Sequence, residues 1–264
     1  MKIPALLLLV LALAWPLSAK IITRAVAYEH DGVKLEGWLA YDDTAPADAK
    51  RPGVLVIHEW WGLNAFAKER AEAFAALGYV AFAADMYGAG VTTDDPKRAG
   101  ELAGQFYGKP LMATRARAGL DALLATGLVD DQRVAAAGFC FGGSTTMALA
   151  YSGAPLAGIV SFHGGPIPAP AAAKDQVKTR FLVCHGAVDP FISKESLDGF
   201  LRSLDDAGID YQFISYAGAI HAFTNPGADA MRAQHGLDGI GYQAAAANRS
   251  WGHCRQFLAE IFAR

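Results

Sequence analysis

A thiol, a carboxylate and an imidazole occur in this chain order at Cys140, Asp189 and His221. The histidine can take the proton of the thiol, and the carboxylate can hold the imidazole in the tautomer that this transfer requires. The thiolate can then attack a carbonyl carbon and form a thioester. These three residue types therefore predict hydrolysis through a covalent acyl intermediate.

The motif around Cys140 predicts how the thiol is presented. Residues 138–142 have the pattern G-x-C-x-G, between an apolar run at 133–137 and a helical pattern at 144–150. Such a sharp strand-to-helix turn needs small residues on both sides of its central residue. The α/β-hydrolases build this turn around their nucleophile and share the order nucleophile, acid, histidine. Alone, the motif also fits a buried structural cysteine in a Gly-rich turn.

The motifs around the acid and the histidine make a shared site more specific. Asp189 ends an H-G-x-x-D motif that begins at His185, and His221 lies in a G-x-x-H-x-F motif that begins at Gly218. Each residue alone would suggest a turn cap or a buried structural histidine. Because all three follow predicted strands in the order of a hydrolase triad, one common site is the better interpretation.

The segment H-E-W-W-G at 58–62 follows the first predicted parallel strand, where an oxyanion donor is normally found. We predict that the backbone N–H groups of Trp60 and Phe141 form the oxyanion hole. Glu59 is then expected to point toward the thiol, which it could hold or deprotonate. A structural salt bridge of Glu59 is the alternative.

Most of the chain alternates strand and helix patterns. Continuous apolar runs predict buried parallel strands at 53–58, 79–84, 133–137, 158–162, 180–185 and 211–216. Helices are predicted at 65–77, 193–207 and 243–262, with one or two more within 94–126. Two β-rich runs at 21–28 and 33–41 predict an antiparallel hairpin. We therefore expect an α/β-hydrolase fold, a doubly wound and mostly parallel sheet with an N-terminal antiparallel edge.

Composition favours one catalytic domain over residues 20–264. The chain has 264 residues, of which 53% are hydrophobic, and a formal net charge of −3. This balance gives no basic field for nucleic acid, so a small molecule is the expected partner. The histidines lack the paired spacing of zinc sites, and no Gly-rich phosphate loop precedes a lysine. We expect no metal and no cofactor.

Residues 1–19 have the pattern of a secretory signal peptide. Lys2 precedes an apolar run at 5–15, and small residues follow at 18–19. The run is shorter than the roughly 20 residues of a membrane span. We therefore expect an exported protein, periplasmic or secreted, without stable membrane insertion. Cys184 and Cys254 are expected to be buried thiols, although a bridge between them could form.

Five segments together resemble the dienelactone hydrolases (carboxymethylenebutenolidases): 58–64, 85–88, 138–143, 185–190 and 221–223. The resemblance runs from about Glu29 to the C-terminal helix. It implies a triad of Cys140, Asp189 and His221, a glutamate paired with the thiol at Glu59, and no cofactor.

Two positions depart from the family pattern. Enzymes that act on dienelactone carry arginines for the substrate carboxylate, and this chain has Ala89 and Asn225 at the corresponding places. Neither side chain can replace the charged, planar fork of arginine. With Trp61 and Tyr87 expected to line the pocket, we predict a less charged, more apolar ester or lactone. The remaining candidates for a substrate-binding cation are Arg24, Arg98 and Arg115. The expected export also differs from the family's cytoplasmic enzymes.

Two other functions would fit parts of this pattern. A thiol peptidase would use the same triad but needs an extended groove, and the sequence has no large insertion that could shape one. A non-catalytic binding protein could retain the fold, but it would not need all three triad groups. A cofactor-free hydrolase of esters or lactones is therefore the leading interpretation.

Overall fold

A computed structural model describes residues 20–263, except 45, 47, 48 and 175. The predicted signal peptide, residues 1–19, lies outside the described residues. The strands are β1 (Ile21–His30), β2 (Val33–Asp42), β3 (Arg51–Ile57), β4 (Val80–Ala84), β5 (Val129–Phe139), β6 (Gly158–Phe162), β7 (Arg180–Gly186) and β8 (Tyr211–Tyr216).

These strands form one sheet in the order β1-β2-β4-β3-β5-β6-β7-β8. β2 pairs antiparallel with both β1 and β4, whereas the pairs from β4 through β8 are parallel. The predicted α/β-hydrolase fold with an antiparallel N-terminal edge is confirmed. The hairpin turns at Asp31 and Gly32, whose φ values of 51° and 73° match the primed turn that follows the twist of paired strands.

Helices cover both faces of the sheet. They are α1 (Ala65–Ala75), α2 (Pro96–Gly104), α3 (Leu111–Leu124), α4 (Phe141–Tyr151), α5 (Lys194–Ala207), α6 (Ala228–His235) and α7 (Ala244–Phe262), with a short 3-10 helix at Ala171–Ala173. The core on one face includes side chains of α1 and α7, and the core on the other includes those of α3, α4 and α5. Within the described residues, no helix is both long and apolar enough to span a bilayer.

Sequence patterns did not predict α6. Of its residues only Ala228 is buried, so no apolar stripe repeats along it. By contrast α5 has both of its predicted ends, since the Ser193 side chain accepts the Ser196 N–H and Gly208 adopts a left-handed conformation. The cysteines of β7 and α7, Cys184 and Cys254, are buried free thiols as expected.

The turn between β5 and α4 presents Cys140. Cys140 has φ 55° and ψ −117°, a conformation that costs a residue with a side chain roughly 1–3 kcal/mol. A Cβ atom at Gly138 would lie 2.0 Å from the carbonyl oxygen of Gly142, and one at Gly142 would lie 2.2 Å from that of Ile57. The first turn of α4 can therefore pack against the ends of β3 and β5 only with glycine at these positions.

Replacement of Gly142 by alanine should prevent this close packing. We expect Gly142→Ala to lower the free energy of unfolding by about 3 kcal/mol or more, because the contact is with backbone that cannot move aside. Gly100→Ala in α2 is the matched control, since its added Cβ meets no atom within 4 Å. That substitution should raise stability by about 0.5–1 kcal/mol through helix propensity. Urea denaturation measures both, and equal stabilities for the two variants would contradict the packing account.

Candidate active site

The three predicted triad residues meet at the carboxyl edge of the sheet. Asp189 lies in the loop after β7 and His221 in the loop after β8, and His221 Nδ1 lies 2.7 Å from Asp189 Oδ2. The other carboxylate oxygen of Asp189 accepts the Phe191 N–H at 3.0 Å. Cys140 and His221 both line the same cavity, and the charge of Cys140 acts on the His221 imidazole. The imidazole therefore lies between the carboxylate and the thiol, as a proton carrier requires.

The surroundings of His221 favour its charged form. Burial alone lowers the pKa of this imidazole, but the negative charge of Cys140 and the hydrogen bond to Asp189 outweigh burial and raise the pKa to about 10. A histidine in this position retains a proton that it receives from the thiol. The imidazole can thus act as the base that nucleophilic attack by the thiol requires.

His163, the residue after β6, accepts a hydrogen bond from the backbone of Cys140. The Cys140 N–H points to His163 Nδ1 at 3.1 Å and to the Phe162 carbonyl at 3.0 Å. His163 Nε2 lies 2.7 Å from Thr224 Oγ1, so the proton of the ring is on Nε2. Burial and then the nearby His221 lower the pKa of His163 well below its usual value. His163 is a neutral positioning residue that the sequence showed only as a single histidine after a strand.

Glu59 is buried in the same site, with 2% of its surface exposed. Its carboxylate accepts a hydrogen bond of 2.7 Å from the Asn225 side-chain amide. Burial raises the pKa of Glu59 to about 7, although the Asn225 hydrogen bond and the charge of His221 act in the opposite direction. Among the described residues no ion pair joins Glu59 to a lysine or arginine. A neutral amide replaces the cation.

A cavity of about 310 Å³ opens onto Cys140. It is lined by Glu59, Trp60, Trp61, Tyr107, Cys140, Gly165, Phe191, Ile192, His221, Ala222, Leu237 and Ile240. Trp61 therefore lies where we predicted it. Tyr87 does not line the cavity, because its hydroxyl donates to the Trp60 carbonyl at 3.1 Å and its ring packs 4.9 Å from that of His58. This contact places Tyr87 one layer behind the wall.

Several lining residues were not predicted from the sequence. Phe191 lies two residues after Asp189, so its place in the sequence could have indicated a position near the site. Its side chain is 60% exposed. Tyr107, 47% exposed, lies in the break between α2 and α3. Leu237 and Ile240 follow α6, a helix without an apolar stripe, and carry no comparable signal.

No lysine or arginine is among the residues that line this cavity. Arg115 donates to the Met86 carbonyl and to His30 Nδ1, each at 3.0 Å. Arg98 pairs with Glu101 on α2, and Arg24 lies in the exposed part of β1. The structure thus brings none of the three candidate arginines into the cavity.

The two predicted oxyanion donors are located at the ends of different elements. Trp60 lies in the loop after β3, and Phe141 is the first residue of α4, where backbone N–H groups point out of the helix. In the described part of the chain, neither N–H donates a hydrogen bond to another residue. Of the two residues, Trp60 lines the cavity, and Phe141 directly follows its lining residue Cys140. Across the described residues, His, Cys, Asp and Glu side chains form no group of three that could bind a metal ion.

Comparison with known proteins agrees with this architecture. A model described as the dienelactone hydrolase family matches residues 39–262. The protein usf of Aquifex pyrophilus is 31% identical over 208 residues, which cover 76% of this chain and 87% of that protein. The structure of a dienelactone hydrolase-like promiscuous phosphotriesterase from metagenomic libraries is 38% identical, with a TM-score of 0.85, and the match covers 92% of this chain and 99% of that one.

A second solved structure, m3DLH, is 40% identical with a TM-score of 0.86, over the same shares of 92% and 99%. The matched family region contains Cys140, Asp189, His221 and Glu59. The chain belongs to the dienelactone hydrolase family, and it is a hydrolase of the class that acts on esters and lactones.

Proposed function

We propose that this enzyme hydrolyses neutral carboxylic esters or lactones through a thioester on Cys140. The observation that carries the proposal is that Cys140 and His221, the latter hydrogen-bonded to Asp189, line one cavity that has no lysine or arginine in its lining. A thiol, its base and the base's carboxylate are the groups that nucleophilic acyl transfer needs.

The proposed reaction has two halves. The Cys140 thiol gives its proton to His221, and the sulfur attacks the carbonyl carbon to form a tetrahedral oxyanion. Collapse of this oxyanion breaks the ester C–O bond, and His221 returns the proton to the departing alkoxide. A water molecule then gives a proton to His221 as it attacks the thioester. The second collapse releases the carboxylic acid, and the thiolate regains the proton from His221.

Backbone donors support the oxyanion in this scheme. The N–H groups of Trp60 and Phe141 have no other acceptor among the described residues; Trp60 lines the cavity, and Phe141 directly follows Cys140 at the start of α4. Backbone N–H groups stabilise a developing oxyanion without reorganising, and removal of one such donor in other enzymes costs about 2.7–4 kcal/mol of activation free energy. The positive end of the α4 dipole adds to this stabilisation.

Glu59 acts electrostatically in this proposal. Its charge interacts favourably with that of His221, so the ionised carboxylate stabilises the imidazolium that forms when Cys140 loses its proton. The same negative charge repels an anionic substrate and the carboxylate product. Asn225 holds the Glu59 carboxylate in place but supplies no positive charge.

Phosphotriester hydrolysis is a second candidate activity. The neighbour with this activity is 38% identical over nearly its whole length. Phosphotriesters are uncharged, and the cavity at Cys140 has no lysine or arginine that would favour an anion. A thiolate and an oxyanion hole can act on a phosphoryl centre as well as on a carbonyl.

Loss of the nucleophile should abolish turnover. We expect Cys140→Ala to lower kcat for p-nitrophenyl acetate to the level of buffer while the protein remains folded by circular dichroism, because no other thiol lines the cavity. His221→Ala should be nearly as severe, and Asp189→Asn less so, since the acid orients the base. Cys184→Ala, which removes a buried thiol elsewhere, is the control and should keep activity. Hydrolysis by Cys140→Ala at the wild-type rate would refute the mechanism.

The buried carboxyl of Glu59 should make stability depend on pH. Because the folded state raises its pKa from 4.5 to about 7, its contribution to stability is complete below pH 4.5 and disappears as the pH rises through 7. Relative to wild type, Glu59→Gln should therefore gain as much as about 3 kcal/mol in unfolding free energy between pH 4.5 and pH 8. Urea denaturation at several pH values measures the difference.

Asn225→Ala provides an independent check, since it removes the hydrogen bond that lowers the pKa of Glu59. The pH-dependent loss of stability should then extend to higher pH than in wild type. Parallel stability curves for wild type and Glu59→Gln would show that Glu59 does not titrate as described.

Substrate charge should affect the specificity constant. Each lost charge-assisted hydrogen bond removes about 1.5–3 kcal/mol, so dienelactone, with its carboxylate, should be poorly held in a cavity without arginine. We expect kcat/KM for a matched neutral lactone to exceed that for dienelactone by about tenfold or more. A strong preference for dienelactone would show that a cation reaches the substrate after all.

A further inference from the structure

A second cavity lies beside the catalytic cavity. Its volume is about 590 Å³, and its lining includes Asn64, Phe66, Thr92, Asp94 and Met231. Trp61 lines this cavity and the catalytic cavity as well. The two spaces therefore share a wall, and the Trp61 indole is part of it.

The shared wall contains aromatic and hydrogen-bonded side chains. Trp61 is 5% exposed, and its ring packs against that of Trp60 at a centroid distance of 4.8 Å. Beside it, Glu59 faces the catalytic cavity while Asn225 faces the second one, and their side chains are joined by the hydrogen bond of 2.7 Å. Trp61 and the hydrogen-bonded pair of Glu59 and Asn225 thus lie between the two cavities.

The backbone at Trp61 is held independently of its side chain. The Trp61 carbonyl accepts the Thr93 N–H at 3.0 Å, and the next residue, Gly62, forms a bridge with Thr92. Gly62 has φ 90° and leaves no room for a Cβ atom, which would lie 2.6 Å from the Val91 carbonyl oxygen. The indole can therefore be replaced without release of the loop.

We propose that Trp61 is a specificity-determining residue that closes the catalytic cavity and limits the size of ester that can reach Cys140. The second cavity is then a subsite that the indole keeps separate from the nucleophile. This inference rests on the proposed ester hydrolysis. It adds a size limit at one named side chain, which neither the triad nor the charge of the cavity requires.

The lining of the second cavity indicates which groups it would admit. Phe66 and Met231 supply apolar surface, and Asp94 supplies the charged side chain of the lining, a carboxylate. Glu59 adds a second acidic side chain at the wall. A bulky neutral group, such as a fused aromatic ring, matches this surface, whereas a carboxylate-bearing group does not.

The test compares one large and one small ester. We expect Trp61→Ala to raise the ratio of kcat/KM for p-nitrophenyl 2-naphthoate to that for p-nitrophenyl acetate at least about tenfold, with a smaller rise for Trp61→Phe. Trp61→Phe also serves if the alanine variant does not fold. Met231→Trp in the Trp61→Ala background refills the second cavity from α6 and should return the ratio toward the wild-type value.

A binding measurement separates this inference from the proposed reaction. Calorimetry with the neutral ketone 2-acetonaphthone should give at least about tenfold tighter binding to Trp61→Ala than to wild type, and Met231→Trp should reverse the gain. This result is independent of whether the enzyme hydrolyses either ester. An unchanged ester ratio and an unchanged Kd would overturn the role of Trp61. Failure of wild type to hydrolyse p-nitrophenyl acetate would instead count against the proposed function.

Discussion

The close packing of α4 against the ends of β3 and β5 is the constraint on which the site depends. It brings backbone atoms so near that Gly138 and Gly142 admit no Cβ, and Cys140 between them has a positive φ of 55° with ψ −117°. This strained turn projects the sulfur above the sheet, at the beginning of a helix where the dipole favours negative charge. His163, whose ring receives the Cys140 N–H, helps to hold the strained peptide in place.

Burial around this sulfur determines the pKa values of the neighbouring ionisable side chains. Asp189 and His221 come from neighbouring parallel strands, so their loops meet at the carboxyl edge of the sheet where α4 begins. Removal of water strengthens the interaction between the imidazole and both of its neighbours. For Glu59, burial outweighs the favourable contacts and raises the pKa, because Asn225 offers the carboxylate a hydrogen bond but no positive charge. The site therefore favours a protonated His221, and the cavity lining offers no lysine or arginine to an anionic substrate, which supports the proposed neutral substrate.

Local signals predicted the elements and the triad, since glycines, caps and apolar runs act over a few residues. For example, Gly138 indicates the turn before α4, and Ser193 and Gly208 indicate the two ends of α5. The walls of the cavity depend instead on long-range packing. Tyr87 was predicted to line the pocket, but its hydroxyl is bound to the Trp60 carbonyl behind the wall. Tyr107 reaches the cavity only because the chain breaks between α2 and α3 at that place, and no local pattern records which way that loop turns.

In the proposed mechanism, acyl transfer passes through a covalent bond to Cys140. The most direct measurement is to mix the enzyme with excess p-nitrophenyl acetate, quench with acid within the first turnover and map the modified peptide by mass spectrometry. Our account predicts one acetyl group on the peptide that contains Cys140, formed as p-nitrophenolate is released and lost as the thioester hydrolyses. Release of p-nitrophenolate with no acetyl group on Cys140, or with the group on another residue, would contradict it.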